Sequence, residues 1–330
     1  MTENNSYRHI SWTGILITFF GAVFFSTKAI LVKLAFNHEQ VDAVSLLAVR
    51  MLFSLPFYIG VAWFTSHRKD NHQLSRRQWG GVITLGLFGY YLSSLFDFMG
   101  LKYISAGLER LILFLYPSFV VLINALVFKI KISRRQQLAL PLTYAGIAVA
   151  YAGELRIDTG NPGFFWGSFL VFLCSITYAI YIAGSGRMIP AVGATKFTAY
   201  AMLASTTGVF MHFILAGHYE ILSRSSDFIW YGLLLAIVAT VIPTFMIAWG
   251  MKKIGANNVA IISSLGPAST ILQAHFILGE PVFVAQIMGT LLIVTGVVLV
   301  GWKRREKYSS DDPDPKAPSL LKKNLDQPVQ

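Results

Sequence analysis

Ten apolar stretches, each about as long as a helix needs to be to cross a bilayer, follow one another along the chain with short polar or Gly/Pro-bearing breaks between them. They fall near residues 11–34, 43–66, 78–101, 104–128, 136–153, 163–186, 195–216, 228–250, 256–278 and 283–302. Hydrocarbon offers no water to an unpaired backbone N–H or C=O, so only helices and closed barrels survive there. Runs this long and this weakly alternating are not barrel strands. The chain therefore reads as an all-α integral membrane protein. Composition agrees, since 55% of its 330 residues are hydrophobic and only 13% are charged, too few to clothe a water-soluble surface. The first stretch follows Arg8 and begins apolar, as a signal peptide does. It then runs past Lys28 and Lys33 without a small-residue cleavage site, so it is read as a retained span. The single cysteine, Cys174, excludes an internal disulfide and any cysteine-based metal cluster.

In a soluble chain the formal charge of +11 would point to nucleic acid. Here its placement gives a different meaning. With the amino terminus in the cytoplasm, the inner segments collect Arg8, Arg68, Lys69, Arg76, Arg77, Lys129, Lys131, Arg134, Arg135, Arg187, Lys196, Lys252, Lys253 and the run from Lys303 to Lys307. The outer segments hold only Lys33, Lys102, Arg156 and Arg224, together with Glu39, Asp42, Glu154, Asp158, Glu220, Asp227 and Glu280. This is the positive-inside pattern, with both termini cytoplasmic. A nucleic-acid role is set aside, and contact with anionic lipid is the natural secondary role of the basic face. The segment 1–10 and the Pro-, Asp- and Lys-rich tail 303–330 stand outside the spans, and the tail reads as disordered from about residue 308. The Asn4-Asn5-Ser6 sequon lies on the cytoplasmic side and reads as chance.

A shift of 150 residues lays Gly100 on Gly250, Lys102 on Lys252, Ala106 on Ala256, Leu115 on Leu265, Pro117 on Pro267, Gln136 on Gln286 and Gly146 on Gly296, without a gap. A duplicated five-span unit is the economical explanation, with copies over 11–153 and 163–302. Five is odd, so the second copy enters the membrane from the opposite side. The expected fold is thus ten transmembrane helices as two inverted five-helix repeats, an architecture that places substrate near the midplane between the copies.

The second copy reads Gly255-Ala256-Asn257-Asn258-Val259-Ala260, then Leu265-Gly266-Pro267, Gly279-Glu280-Pro281-Val282 and Gly289-Thr290-Leu291-Leu292-Ile293-Val294-Thr295-Gly296. This resembles the EamA family of the drug/metabolite transporter superfamily, in which a helix with a central Pro ends in Gly-Glu before a Gly-flanked final span. The first copy matches through Ile104-Ser105-Ala106-Gly107 and Pro117, with Lys129-Ile130 standing where Gly-Glu would be. The resemblance implies a metabolite carrier of two five-span repeats, often an exporter of amino acids or related compounds.

Five ionisable residues fall well inside the spans, where burial costs several kcal/mol, and all five belong to the first copy: Lys28, Arg50, Asp97, Glu109 and Arg110. Their one-sidedness suggests an asymmetric binding cavity. Helical spacing puts Tyr90, Ser93, Ser94 and Asp97 on one stripe of the third span. In the fourth span Glu109 stands seven residues before Tyr116 and Arg110 seven before Pro117. Two arrangements stay open: the charges neutralise one another in pairs, or Lys28 and Arg50 meet the carboxylate of a zwitterion whose ammonium faces Asp97 or Glu109. The substrate pathway expected on this basis comprises Lys28, Arg50, Tyr90, Ser94, Asp97, Glu109, Arg110, Tyr116, Tyr181 and Gln273, with hinges or kinks at Pro117 and Pro267. His212 and His275 are read as structural groups with a lesser claim to proton coupling. The pairs Gly86 with Gly89 and Gly184 with Gly186 are read as points of close helix approach.

No metal-ligand pair, Walker loop, nucleophile elbow or charged cysteine site is present in the sequence, so no cofactor, metal or catalytic residue is assigned. Without a phosphate-binding loop, ATP is not the direct energy source. The reading is a secondary-active or facilitative carrier of small metabolites in the cytoplasmic membrane of a bacterium, multi-pass, acting as a monomer or weak homodimer. Its partners are a small-molecule substrate and the lipid bilayer. A multidrug exporter or lipid-linked substrate flippase is the alternative within transport, and an integral-membrane enzyme or receptor the alternative outside it.

Overall fold

The computed structural model describes residues 12–39, 41–67, 73–132, 134–155, 162–216, 226–254, 259, 262–263 and 265–301. The segment 1–10 with its sequon, Arg68, Lys69, Arg156, Asp158, Glu220, Arg224, the second-copy residues Gly255 to Asn258 and the tail 303–330 lie outside them. All regular structure among the described residues is helical. The helices are α1 Trp12–His38, α2 Ala43–Ser66, α3 Arg76–Gly100, α4 Ala106–Leu126, α5 Arg134–Leu155, α6 Phe164–Val192 and α7 Ala194–Ala216. Next comes α8, from Ser226–Ala236 through Ile237–Val241 into Ile242–Ile254, then α9 from Gly266–Gln273 into Ala274–Leu278, and α10 Val284–Gly301. The first eight contain segments long and apolar enough to cross a membrane, and α10 adds an apolar helix over Val284–Leu299.

Helix starts follow from local chemistry. The Asp42 carboxylate accepts from the Ser45 N–H at the head of α2, and Ser105 accepts from the Leu108 N–H at the head of α4. Ser75 and Gln78 form a reciprocal capping box on α3. Inside the spans, many hydroxyls bond backward along their own helices, as with Thr18 on Gly14, Ser54 on Arg50 and Thr143 on Ala139. The faces turned outward carry Trp12, Leu16, Leu52, Trp63, Phe64, Leu126, Leu215, Phe276 and Leu291, an apolar coat suited to acyl chains rather than water.

Two irregularities recur 150 residues apart. Wide π-helical turns lie at Leu87–Leu92 in α3 and Ile237–Val241 in α8. In α4 the helix is interrupted between Leu113 and Tyr116, where the Leu115 N–H turns to the Ile112 carbonyl at 3.0 Å. Before α9 the Leu265 N–H does the same to Ile262 at 3.2 Å. Pro117 and Pro267 each sit in the first turn after this break. The interruption therefore precedes the proline, which sits where a first-turn N–H has no intrahelical acceptor and its loss is harmless. The break also means that Glu109 and Tyr116 do not share one continuous helical face, as their spacing suggested.

The final helices of the two copies, α5 and α10, pack at backbone contact. A Cβ on Gly146 would stand 2.7 Å from the Gly289 carbonyl oxygen, and Gly153 lies against Ala285. Gly86 faces the Ala201 backbone, Gly89 the Tyr181 ring and Gly184 the Leu85 side chain. Gly186 has open space around it, so the close approach expected there does not occur.

Candidate functional site

Four helices of the first copy, α1 to α4, converge their charges in one buried cluster. Each of Lys28, Arg50, Asp97, Glu109 and Arg110 is at most 8% exposed, and both carboxyl residues are at 0%. Lys28 Nζ stands 2.6 Å from Asp97 Oδ2. The Glu109 carboxyl faces that of Asp97, with Arg110 within electrostatic range of both. Neither Glu109 oxygen receives a hydrogen bond.

The two arginines are held by hydroxyls and rings rather than by carboxylates. Arg50 donates to Ser94 Oγ at 3.1 Å and lies over the Phe98 ring, 5.2 Å from its centroid. Arg110 donates to Ser26 Oγ at 3.1 Å and sits 5.4 Å from the Phe25 centroid. Ser26 reaches the Ala22 carbonyl at 2.9 Å and the Gly266 carbonyl at 3.2 Å, so it ties Arg110 to the break that opens α9. The Nε atoms of both arginines lack hydrogen-bond partners.

Beside the charges runs a row of tyrosines. The Tyr90 and Tyr181 hydroxyls meet at 2.9 Å with ring centroids 4.8 Å apart. Tyr178 continues the row at 5.9 Å from Tyr181, and Tyr116 ends it at 5.1 Å from Tyr178. Tyr90 is in electrostatic range of Arg50, and Tyr116 and Tyr178 of Arg110.

The structure therefore gathers Lys28, Arg50, Ser94, Asp97, Glu109 and Arg110, and sets Tyr90, Tyr116 and Tyr181 alongside them. Gln273 is separate: its amide donates to Ser269 Oγ at 2.9 Å and to the Val23 carbonyl at 3.4 Å, across the contact of α9 with α1. His212 shares a 3.0 Å hydrogen bond with the Tyr91 hydroxyl, and His275 one of 2.9 Å with the Glu280 carbonyl. Sequence reasoning did not assign Ser26 and Phe25 to the site. Phe25 stands three residues before Lys28 on the same side of α1, with Lys28 Nζ 5.9 Å from its ring centroid, so helical spacing could have found it. Ser26, two residues before, is off that face and gains its role only from the approach of Arg110. Cys174 lies buried within electrostatic range of the cluster, a placement its isolation in the sequence does not reveal. Among the described residues no three His, Cys, Asp or Glu gather as a metal-ligand set.

The model of the EamA-like transporter family matches the chain twice, over residues 12–152 and 165–302. The chain belongs to the EamA-like transporter family. It is a membrane transporter of that family rather than an enzyme, with two EamA domains as inverted repeats. It is similar to the uncharacterized transporter YcbK of Bacillus subtilis, 29% identical over 296 residues that cover 86% of this chain and 92% of YcbK. It is also similar to the uncharacterized transporter YojE of the same organism, 25% identical with coverages of 82% and 89%. An uncharacterized transporter of Archaeoglobus fulgidus is 22% identical, with coverages of 81% and 91%. A solved crystal structure shares the fold at a TM-score of 0.59, covering 90% of this chain and 98% of the other at 18% identity.

Proposed function

We propose that this EamA-family transporter is a secondary-active or facilitative carrier that exports amino acids or related small metabolites from a bacterial cytoplasm. The observation that supports it is the convergence of five intramembrane charges from four helices of one copy onto a site closed to solvent. A scaffold that needed these charges only for stability would gain little from them, because buried ion pairs roughly break even against apolar packing. The two repeats alternate access by rocking about this site, with the breaks before Pro117 and Pro267 as the flexible points. Those breaks sit at matched positions in the copies, and Ser26 and Arg110 connect one of them to the charges. Both termini lie in the cytoplasm, in keeping with the basic inner segments. A lipid-linked flippase or multidrug exporter is less well served, because the charges are enclosed by α1, α2, α3 and α4 instead of facing lipid.

Solute flux into proteoliposomes tests the proposal. Saturable uptake of labelled amino acids or their derivatives by the wild type, lost in Asp97→Asn protein that keeps its helical circular dichroism, supports it. Equal flux in Asp97→Asn and wild type rejects the assigned site.

A further inference from the structure

The charges in the buried cluster do not balance. Lys28, Arg50 and Arg110 contribute three cations, and Asp97 and Glu109 at most two anions. Asp97 is already engaged by Lys28 at 2.6 Å. Glu109 faces Asp97 without a donor to either of its oxygens. Two such carboxylates repel, and one proton held between them satisfies both. Whether they carry one negative charge or two, positive charge is left over.

Its location is specific. Among the described residues neither Arg50 nor Arg110 has a carboxylate within ion-pair distance, and each is 3% exposed with its Nε unpartnered. Serine hydroxyls and ring faces leave most of each guanidinium fork unused, and a desolvated fork without an anion is costly. The tyrosines Tyr90, Tyr181, Tyr178 and Tyr116 pack ring to ring beside the charges, with Tyr90 in electrostatic range of Arg50 and Tyr116 of Arg110. A molecule lying along them presents a flat or apolar body to the rings and its anionic group to a guanidinium.

A zwitterion is a poorer fit. Its two charges cancel, so it leaves the excess positive charge of the cluster in place, and Asp97 is already engaged by Lys28. We propose that this site takes organic anions with an aromatic or apolar body, carboxylates lacking a compensating ammonium, and that Arg50 and Arg110 bind the anionic group. This rests on the reading of the cluster as the substrate site and, within amino acids and related compounds, moves the expected substrate from the free amino acid to its anionic relatives, such as those whose amine is acylated.

Three probes with the same phenyl body separate the charge classes: N-acetyl-L-phenylalanine as anion, L-phenylalanine as zwitterion and phenethylamine as cation. Binding to the purified full chain in detergent is followed by thermal shift and intrinsic tryptophan fluorescence. The anion is expected to bind in preference to the other two, and to lose affinity about tenfold or more in both Arg50→Gln and Arg110→Gln. Arg50→Lys, which keeps the charge without the fork, is expected to fall between. The comparison of probes on the wild type needs no variant and so survives a folding defect in either. Preference for the zwitterion or cation, anion binding unchanged in both glutamine variants, or no binding of any probe overturns the inference. Flux of L-phenylalanine that depends on Asp97, without anion binding, removes this inference but leaves the carrier. Anion binding without flux of any solute keeps the inference and removes the carrier.

Discussion

Lys129 and Gly279 occupy the same turn of the two repeats, 150 residues apart, and both have positive φ, 54° for the lysine and 70° for the glycine. The hydrogen bonds around them match as well: the Ile130 N–H reaches the Asn124 carbonyl at 3.0 Å, and the Glu280 N–H reaches Ala274 at 3.2 Å. Duplicated backbone geometry has thus persisted under a side chain that does not suit it.

A left-handed conformation costs a residue with a Cβ about 1 kcal/mol or somewhat more, and glycine escapes this cost. Lys129 is exposed, so Lys129→Gly sacrifices no packing. The variant is expected to be more stable by about 1 kcal/mol, less the added freedom of glycine in the unfolded chain. Thermal unfolding in detergent reads this directly, and a lower midpoint than wild type would contradict it.

Glu280 joins the copies. Its carboxylate accepts from the Ala106 N–H at 3.0 and 3.1 Å and from Gly107 at 3.4 Å, so a loop of the second repeat caps α4 of the first. In the first copy Ile130 holds the equivalent place, so that position has no carboxylate to offer. Glu280→Ala is expected to cost about 1 kcal/mol, as lost N-caps do. It should also raise hydrogen exchange at Ala106 and Gly107 above that at the capped head of α2. Unchanged protection there would show that the cap contributes nothing.

Removing one member of the Lys28–Asp97 pair leaves a buried charge without its counter-ion. Lys28→Met is expected to destabilise by about 3–5 kcal/mol, and Lys28→Met with Asp97→Leu by much less. Thermal midpoints of the four proteins in a double-mutant cycle check this. Additive losses in the double variant would mean that the pair is not coupled in the folded protein.

The α5–α10 contact tolerates no side chain at its centre, since Gly146 and Gly289 each face the other's carbonyl. Gly146→Leu and Gly289→Leu are expected to force the helices apart and sharply reduce the yield of monodisperse protein. Gly186→Ala, in open space, should leave it unchanged. Size-exclusion profiles compare the three, and a normal profile for both leucine variants would show that the two helices can separate without loss of fold.

Tyr90→Phe removes the 2.9 Å hydroxyl contact with Tyr181 but keeps both rings. A stability loss of about 1 kcal/mol is expected, with larger effects on binding at the site, because Tyr90 is in electrostatic range of Arg50. Parallel thermal and ligand-binding titrations separate the two, and an unaltered binding curve would place the Tyr90 hydroxyl outside the site.

Much of this architecture was readable along the chain. Apolar length alone specifies membrane-crossing helices, because lipid demands that every backbone group be satisfied within its own segment and leaves few alternatives. The 150-residue shift exposed the duplication through residues that shape backbone, such as Pro117 with Pro267. That five charges lie inside the spans was equally a matter of counting against hydropathy. Which of them meet was not. Lys28, Arg50 and Arg110 each stood open to Asp97 or Glu109 on paper, and the structure gave Asp97 to Lys28 while leaving both arginines on serines. The azimuth of a side chain depends on the rotation and bending of its helix. The π turn at Leu87–Leu92 and the break after Leu113 alter both without a signature in residue type. Residue order and hydropathy alone dictate inverted helical repeats in lipid, with charges the membrane makes expensive. The tertiary structure decided the partners, because they depend on side chains brought together from separate helices, a relationship that no local pattern encodes.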